Sequence, residues 1–341
     1  MEPDFPMSYK VAKFGAKNEP LTIAHMPLNY PNHGEILVKV LACGICHSDL
    51  ILSEGTLGNT FPTVPGHEIV GDVVCLGPGE KSFKIGDRVG GLWHGGHDGT
   101  CKQCKRGDFQ VCEHAELNGV TRMGGYAEYC ILRMEAVARL PHDIDPAEAA
   151  PLLCAGLMTF NGIRKTGIIA GDVVAVQGLG GLGHLAVQFA SKMGYKTVAI
   201  SRRGAKEMFA RELGAHHFIN SSRHDIATSL KQHGGAALIV LTASNPRFVE
   251  PLMRGLAPRG KLLILSPIGE FTADSGLMIR EALSITGSTP GNASDGEETV
   301  DFAKTHGIQC MVEKYRFEDV NSAIDDMLHG RVRFRAVLVM E

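Results

Sequence analysis

The stretch DVVAVQ (172–177), Gly178-Leu179-Gly180-Gly181-Leu182-Gly183, HLAVQFASKMG (184–194) decides how the rest of this chain is read. A β-branched apolar run stops at a glycine-rich turn, and an apolar-faced helix follows at once. Gly178 allows a tight turn, Gly180 lets a phosphate approach the backbone, and Gly183 lets the helix pack close to the strand. Gly181 and Leu182 complete the loop, and the helix N-terminus offers free N–H groups and partial positive charge to a pyrophosphate. Alone, such a loop is only a glycine-rich turn, so its surroundings carry the inference. Working outward, the runs TVAIS (197–201), HFIN (217–220), ALIVLT (237–242), KLLILS (261–266) and LSITGS (283–288) read as further short, fully apolar strands. Helical segments AKEMFARELG (205–214) and PRFVEPLMRGL (246–256) lie between them. Six apolar strands alternating with amphipathic helices predict an α/β, doubly wound parallel sheet that binds a dinucleotide.

The end of the second strand selects the dinucleotide. An acid about 20 residues past the glycines would bind a ribose 2′-hydroxyl. Here the chain reads Ser201-Arg202-Arg203, with Lys206 one turn on. Guanidinium groups bind a 2′-phosphate through charge-assisted bonds, so the expected cofactor is NADP(H) in preference to NAD(H). The ordinary alternative is a solvated basic turn.

The first 150 residues have a different texture. GEILVKVLACG (34–44), HEIVGDVVCLG (67–77) and GYAEYCILR (125–133) read as strands closed by glycine turns. Asp145-Pro146 followed by AEAAPLLCAGLMTFNGI reads as an N-cap, a first-turn proline and one apolar helix. After 290, a helix around 317–329 and a strand at 334–340 are expected to return to the first domain. A length of 341 residues suits two such domains, expected at 1–155 (with return of 290–341) and 156–289.

Composition narrows the classes. Hydrophobic residues make up 44% and charged residues 21%, an ordinary globular balance, and a net charge of −3 argues against a nucleic-acid partner. No apolar run is long enough for a membrane span, and Met1 to Lys10 has no signal-peptide core. Nine cysteines, an odd count, then point to reduced thiols and a cytoplasmic protein. Cys101, Cys104 and Cys112 bunch as metal ligands do, whereas Cys75 and Cys130 sit in strand runs as core thiols. Cys43-Gly44-Ile45-Cys46-His47-Ser48-Asp49, Gly66-His67-Glu68 and Cys154 in LLCAG carry thiolate and imidazole, the groups zinc prefers. Singly, Cys154 reads as a core thiol and His67 as a turn histidine, and spacing alone does not assemble them.

CGICHSD, VPGHEIVG, DGTCKQCKRGDFQVC, LLCAG and GLGGLG, in this order, resemble the zinc-dependent alcohol dehydrogenases of the medium-chain dehydrogenase/reductase superfamily. The resemblance spans essentially the whole chain. It implies a GroES-like, mostly-β catalytic domain with a Rossmann domain inserted before the C-terminal segment. It implies catalytic zinc on Cys46, His67 and Cys154, with Glu68 behind the metal and Asp49 orienting His67. Ser48 would take the alcohol proton. His47 and Arg335 would contact the cofactor pyrophosphate, and Trp93 and Leu57 would line the substrate pocket; taken with Ile51 and Met158, they suggest an apolar or aromatic substrate. A homodimer or homotetramer is also implied.

The chain departs from the family twice. Where many members pass the proton to a histidine three residues past the hydroxyl, this chain has Ile51. In the lobe that usually holds a second, structural zinc on four cysteines, the chain reads Asp98, Cys101, Cys104, Cys112. Zinc accepts carboxylate oxygen, so two zincs per chain are expected, with His94 and His97 as rival ligands. The expected activity is hydride transfer between NADP(H) and a small or medium apolar alcohol, aldehyde or ketone. The competing readings are a zinc-free quinone or enone reductase of the same superfamily and a non-catalytic cofactor-binding protein.

Overall fold

Strand Val173–Gln177 lies at the centre of a six-stranded sheet in a computed structural model that describes residues 5–340. Its flanks are Lys196–Ser201 and Ala236–Leu241. The full order is His217–Asn220, Lys196–Ser201, Val173–Gln177, Ala236–Leu241, Leu256–Ile264, Ser284–Gly287, all parallel. Val174, Ala175 and Val176 are wholly buried, as strands covered on both faces require. The strand order reverses beside Val173–Gln177, and that is where the glycine loop leaves the sheet.

The chain divides into two compact units. This sheet belongs to the unit Ala155–Pro290 with Thr305–Ile308, and the other comprises Met1–Cys154, Gly291–Lys304 and Gln309–Glu341. The second unit is built on a mostly antiparallel sheet. Its order is Val312–Arg316, Arg335–Val339, Glu35–Gly44, Ile69–Leu76, Arg88–Gly91, Val137–Arg139, with Tyr129–Arg133 also paired to Glu35–Gly44. Late in the chain, Leu338 pairs with Cys43, so the C-terminal strand is laid directly beside the segment that leads to Cys46. Among the described residues, no helix is long and apolar enough to cross a membrane.

Two elements differ from the sequence expectation. The single helix expected after Asp145 is three pieces: helix Pro146–Ala149, a 3₁₀ segment Ala150–Leu153, and helix Ala155–Arg164. Asp145 caps the first, accepting from the N–H of Ala147 and Glu148. Pro151 has no N–H for a continuing ladder, so the turn tightens and breaks at Cys154, which has φ −127° and ψ −76°. The other difference is Leu256, expected to end a helix but found opening strand Leu256–Ile264.

Candidate active site

Cys46 is the N-cap of helix His47–Ser53, and the helix start is closed by Asp49. The Cys46 N–H donates to Asp49 Oδ2 at 2.9 Å. Asp49 Oδ1 lies 3.3 Å from His67 Nδ1, an ion-pair distance without hydrogen-bond alignment, so one buried carboxylate both caps the helix of Cys46 and faces the His67 ring. His67 follows Gly66, whose φ of +100° an L side chain rarely adopts. Backbone bonds from Gly125 N–H to Gly66 C=O (2.9 Å) and Tyr126 N–H to Pro65 C=O (3.0 Å) hold that turn. Gly44 explains itself here: a Cβ on it would lie 1.9 Å from Glu68 Oε2. Cys154 reaches the site from the helix break, where its side chain belongs to no helix face.

These elements bring the donor atoms of Cys46, His67, Glu68 and Cys154 within 4.8 Å of one another. The two sulfurs are 3.9 Å apart. A tetrahedral zinc with bonds of about 2.3 Å separates its sulfurs by roughly 3.8 Å, so the donor set fits that ion in chemistry and spacing. Glu68 is wholly buried; Oε1 accepts from the Arg335 guanidinium, while Oε2 has no hydrogen-bond partner. Burial pushes the Glu68 carboxyl up to about 7 against the pull of Arg335. The Cys46 thiol is held well below its usual value, first by the Cys154 thiol and then by His67. Burial disfavours a charged His67, yet Asp49 and Cys46 together raise its pKa well above the ordinary value. Such an ion-rich buried cluster gains from a bound cation.

Ser48 Oγ lies 3.4 Å from His67 Nε2. Trp93 stands edge-on to the His67 ring at 4.8 Å between centroids, walling the cluster. Leu57 and Trp93 pack, half-buried, against the core of this unit, and Ile51 is half-buried on the Ser48 helix. Met158 is half-buried in the other unit. His47 is exposed at the helix start. Arg335, expected at a pyrophosphate, is buried with its guanidinium on Glu68. Nothing in the local sequence around either residue signals that pairing.

A second cluster gathers Asp98, Cys101, Cys104 and Cys112, again within 4.8 Å. Cys101 and Cys112 sulfurs are 3.8 Å apart, the same zinc-like spacing. Backbone N–H groups of Cys104 and His114 point at the sulfurs of Cys101 (3.4 Å) and Cys112 (3.3 Å). Asp98 Oδ1 accepts from the N–H of Thr100 and Cys101, and Oδ2 pairs with His114 Nδ1 at 2.8 Å. The rival ligands His94 and His97 are not in this cluster. They turn to each other at 3.3 Å, and His97 stacks on Phe109. His114, which sequence reading passed over, is the imidazole that reaches Asp98.

In the glycine loop each position has its own constraint. A Cβ on Gly183 would lie 2.0 Å from Gly178 C=O, and Gly178 has φ +104°. A Cβ on Gly180 would meet nothing within 4 Å, leaving open space beside the backbone where a pyrophosphate can come close. Gly181 and Leu182 are half-buried, and Leu182 precedes helix Gly183–Lys192. At the end of the neighbouring strand, Ser201 is buried and Arg202 and Arg203 are exposed, with no carboxylate partner among the described residues. Lys206 Nζ donates to Leu179 C=O at 2.7 Å, tying the basic turn to the glycine loop.

The two folds and the thiolate–imidazole cluster define a zinc-binding, dinucleotide-dependent oxidoreductase. Residues 32–142 match the alcohol dehydrogenase GroES-like domain, and residues 181–305 match the zinc-binding dehydrogenase family. The chain is 50% identical over 335 residues to alcohol dehydrogenase patD of Penicillium expansum, covering 98% of each. Among solved structures it resembles acetophenone reductase from Geotrichum candidum in complex with NAD, at TM-score 0.87 and 26% identity over 98% of each chain. It resembles CAD from Helicobacter pylori complexed with NADP(H) at TM-score 0.86 and 26% identity, over 98% of this chain and 99% of that one. The chain belongs to the zinc-dependent alcohol dehydrogenases of the medium-chain dehydrogenase/reductase superfamily, hydride-transfer oxidoreductases of small and medium alcohols, aldehydes and ketones.

Proposed function

We propose that this chain is an NADP(H)-preferring zinc alcohol dehydrogenase or carbonyl reductase, with Cys46, His67 and Cys154 as catalytic zinc ligands and Ser48 as proton-transfer group. The observation that carries this reading is the convergence of two thiols and an imidazole at zinc spacing beside the Ser48 hydroxyl. When bound, zinc supplies Lewis acidity at the alcohol or carbonyl oxygen and the dinucleotide supplies or takes the hydride. The chain's own residues do the rest. Asp49 fixes the His67 ring so that Nε2 faces the sulfurs. Arg335 pairs with one Glu68 oxygen and so holds that carboxylate at the cluster, with the other oxygen left without a hydrogen-bond partner. Ser48 exchanges the proton of the reacting oxygen. Ile51, one turn on, accepts no proton, so this helix carries the relay no further than Ser48. Trp93, Leu57 and Ile51 favour an apolar or aromatic substrate.

NADP(H) preference is supported by the absence of an acid at 201–203 and by two exposed guanidiniums without carboxylate partners. Lys206, anchored on Leu179 C=O, places a third cation beside the glycine loop. One charge-assisted contact nets about 1.5–3 kcal/mol, roughly 10–100-fold in favour of the phosphorylated cofactor. The test is kcat/KM for NADPH and NADH with aromatic and aliphatic aldehydes, in wild type, Cys154→Ser and Arg202→Ala. Cys154→Ser should lose turnover while binding NADPH normally, and Arg202→Ala should raise KM for NADPH far more than for NADH. Near-normal kcat in Cys154→Ser would overturn the metal assignment, and a wild-type preference for NADH would overturn the cofactor assignment.

A further inference from the structure

Asp49 is held by more than its own helix. Besides the Cys46 N–H and His67, its Oδ2 accepts from the Tyr126 hydroxyl at 2.8 Å. Tyr126 is wholly buried, comes from the loop before strand Tyr129–Arg133, and lies 77 residues from Asp49 in sequence. The same loop grips the His67 turn. Its ring lies where a Cβ on Gly66 would sit, 2.5 Å from Tyr126 Cδ1, and its N–H holds Pro65 C=O. One residue therefore touches the His67 turn through ring and backbone, and the His67-orienting carboxylate through its hydroxyl. A tyrosine kept only for core volume would not need its oxygen aimed at a carboxylate, since phenylalanine fills the same space without a buried polar group to satisfy.

We propose that Tyr126 is a positioning residue of the Cys46–His67–Cys154 metal site. Its hydroxyl fixes Asp49 Oδ2, which leaves Oδ1 to hold His67 in the tautomer that carries hydrogen on Nδ1 and presents Nε2 to the metal. This inference rests on the metal assignment proposed above. Partners of this outer kind, when removed, typically lower metal affinity 10–100-fold. Tyr126→Phe keeps the ring and its packing and deletes only the oxygen.

The experiment is zinc release from purified protein to a competing chelator, compared among wild type, Tyr126→Phe, Cys46→Ser, Asp49→Ala and the Tyr126→Phe/Asp49→Ala double variant. The release phase missing in Cys46→Ser identifies the site. In Tyr126→Phe that phase should weaken roughly 10–100-fold, while the remaining zinc and the melting temperature of the metal-free protein stay near wild type. In the Asp49→Ala background the same substitution should have no further effect, because its route to His67 runs through that carboxylate. Unchanged affinity in Tyr126→Phe, or a full additional loss in the double variant, overturns the positioning role. If Cys46→Ser keeps every phase of wild-type zinc, the metal assignment itself fails, a result distinct from failure of Tyr126 alone.

Discussion

Alanine at Gly183 and alanine at Gly180 should fail in opposite ways. At 183 the new methyl carbon would sit 2.0 Å from the carbonyl oxygen and 2.7 Å from the carbonyl carbon of Gly178. Both are backbone atoms of the strand-to-helix turn, so relief requires the helix to lift off the sheet. Overpacking of this kind costs about 1–3 kcal/mol. At roughly 2–4 °C per kcal/mol, the metal-free, cofactor-free protein should melt about 2–12 °C lower. At 180 the methyl meets no protein atom within 4 Å, and this glycine is not among those with positive φ. Alanine there narrows the unfolded ensemble, so stability should hold or rise by about 0.4–1 kcal/mol. The cost falls on the ligand instead. With the pyrophosphate seated over this open space, as proposed, a methyl there removes at least one charge-assisted backbone bond, about 1.5–3 kcal/mol or roughly 10–100-fold in cofactor affinity. Thermal melting without cofactor and fluorescence titration with NADPH separate the two effects. Wild-type NADPH affinity in Gly180→Ala would refute the reasoning, because the open space at 180 would then serve no ligand.

Three further outcomes follow from the same geometry. Ser48→Ala should lower kcat at least ~10²-fold with little change in KM for cofactor, as measured by steady-state kinetics. Asp98→Ala should lower bound zinc from two per chain to one and depress thermal stability more than kcat per folded molecule, because structural zinc contributes folding energy. Glu35 is pushed up by burial, but bonds from Arg122 and Asn32 outweigh this and hold its carboxyl below the ordinary 4.5. Its stabilisation is therefore complete above pH 4.5 and lost as pH falls through the lowered value. Glu35→Gln should cost roughly 1.5–3 kcal/mol at pH 7, and melting curves of variant and wild type should draw together as pH falls from 4.5 and converge only below the lowered value.

Local rules reach as far as local physics does. The six parallel strands and the glycine loop were legible because buried strands are short apolar runs and Gly178 and Gly183 meet steric demands within six residues. The break in the helix after Asp145 is harder to read, because LLCAGLM is an apolar run and a proline such as Pro151 is tolerated in a first helical turn, although here its missing N–H is what tightens the chain ahead of Cys154. The candidate metal cluster joins Cys46, His67 and Cys154 across 108 residues, a juxtaposition that a family resemblance supplies and that spacing cannot. Arg335 on Glu68, 267 residues apart, and Tyr126 on Asp49 are invisible for the same reason. His114 was the nearer miss. It lies two residues past Cys112, and an imidazole beside an aspartate in a thiol cluster was a signal available in the sequence.

Turnover should depend on one metal held by Cys46, His67 and Cys154, and stepwise metal removal and return tests that dependence directly. Bound zinc and NADPH-dependent aldehyde reduction would be measured together as a chelator strips the protein and zinc is added back. In wild type, activity should fall to background with the loss of the zinc phase that Cys46→Ser lacks, and recover in proportion as that phase refills. Cys154→Ser should stay at background at every zinc level while still binding NADPH. Metal-free protein that reduces the aldehyde at the wild-type rate would contradict the assignment outright.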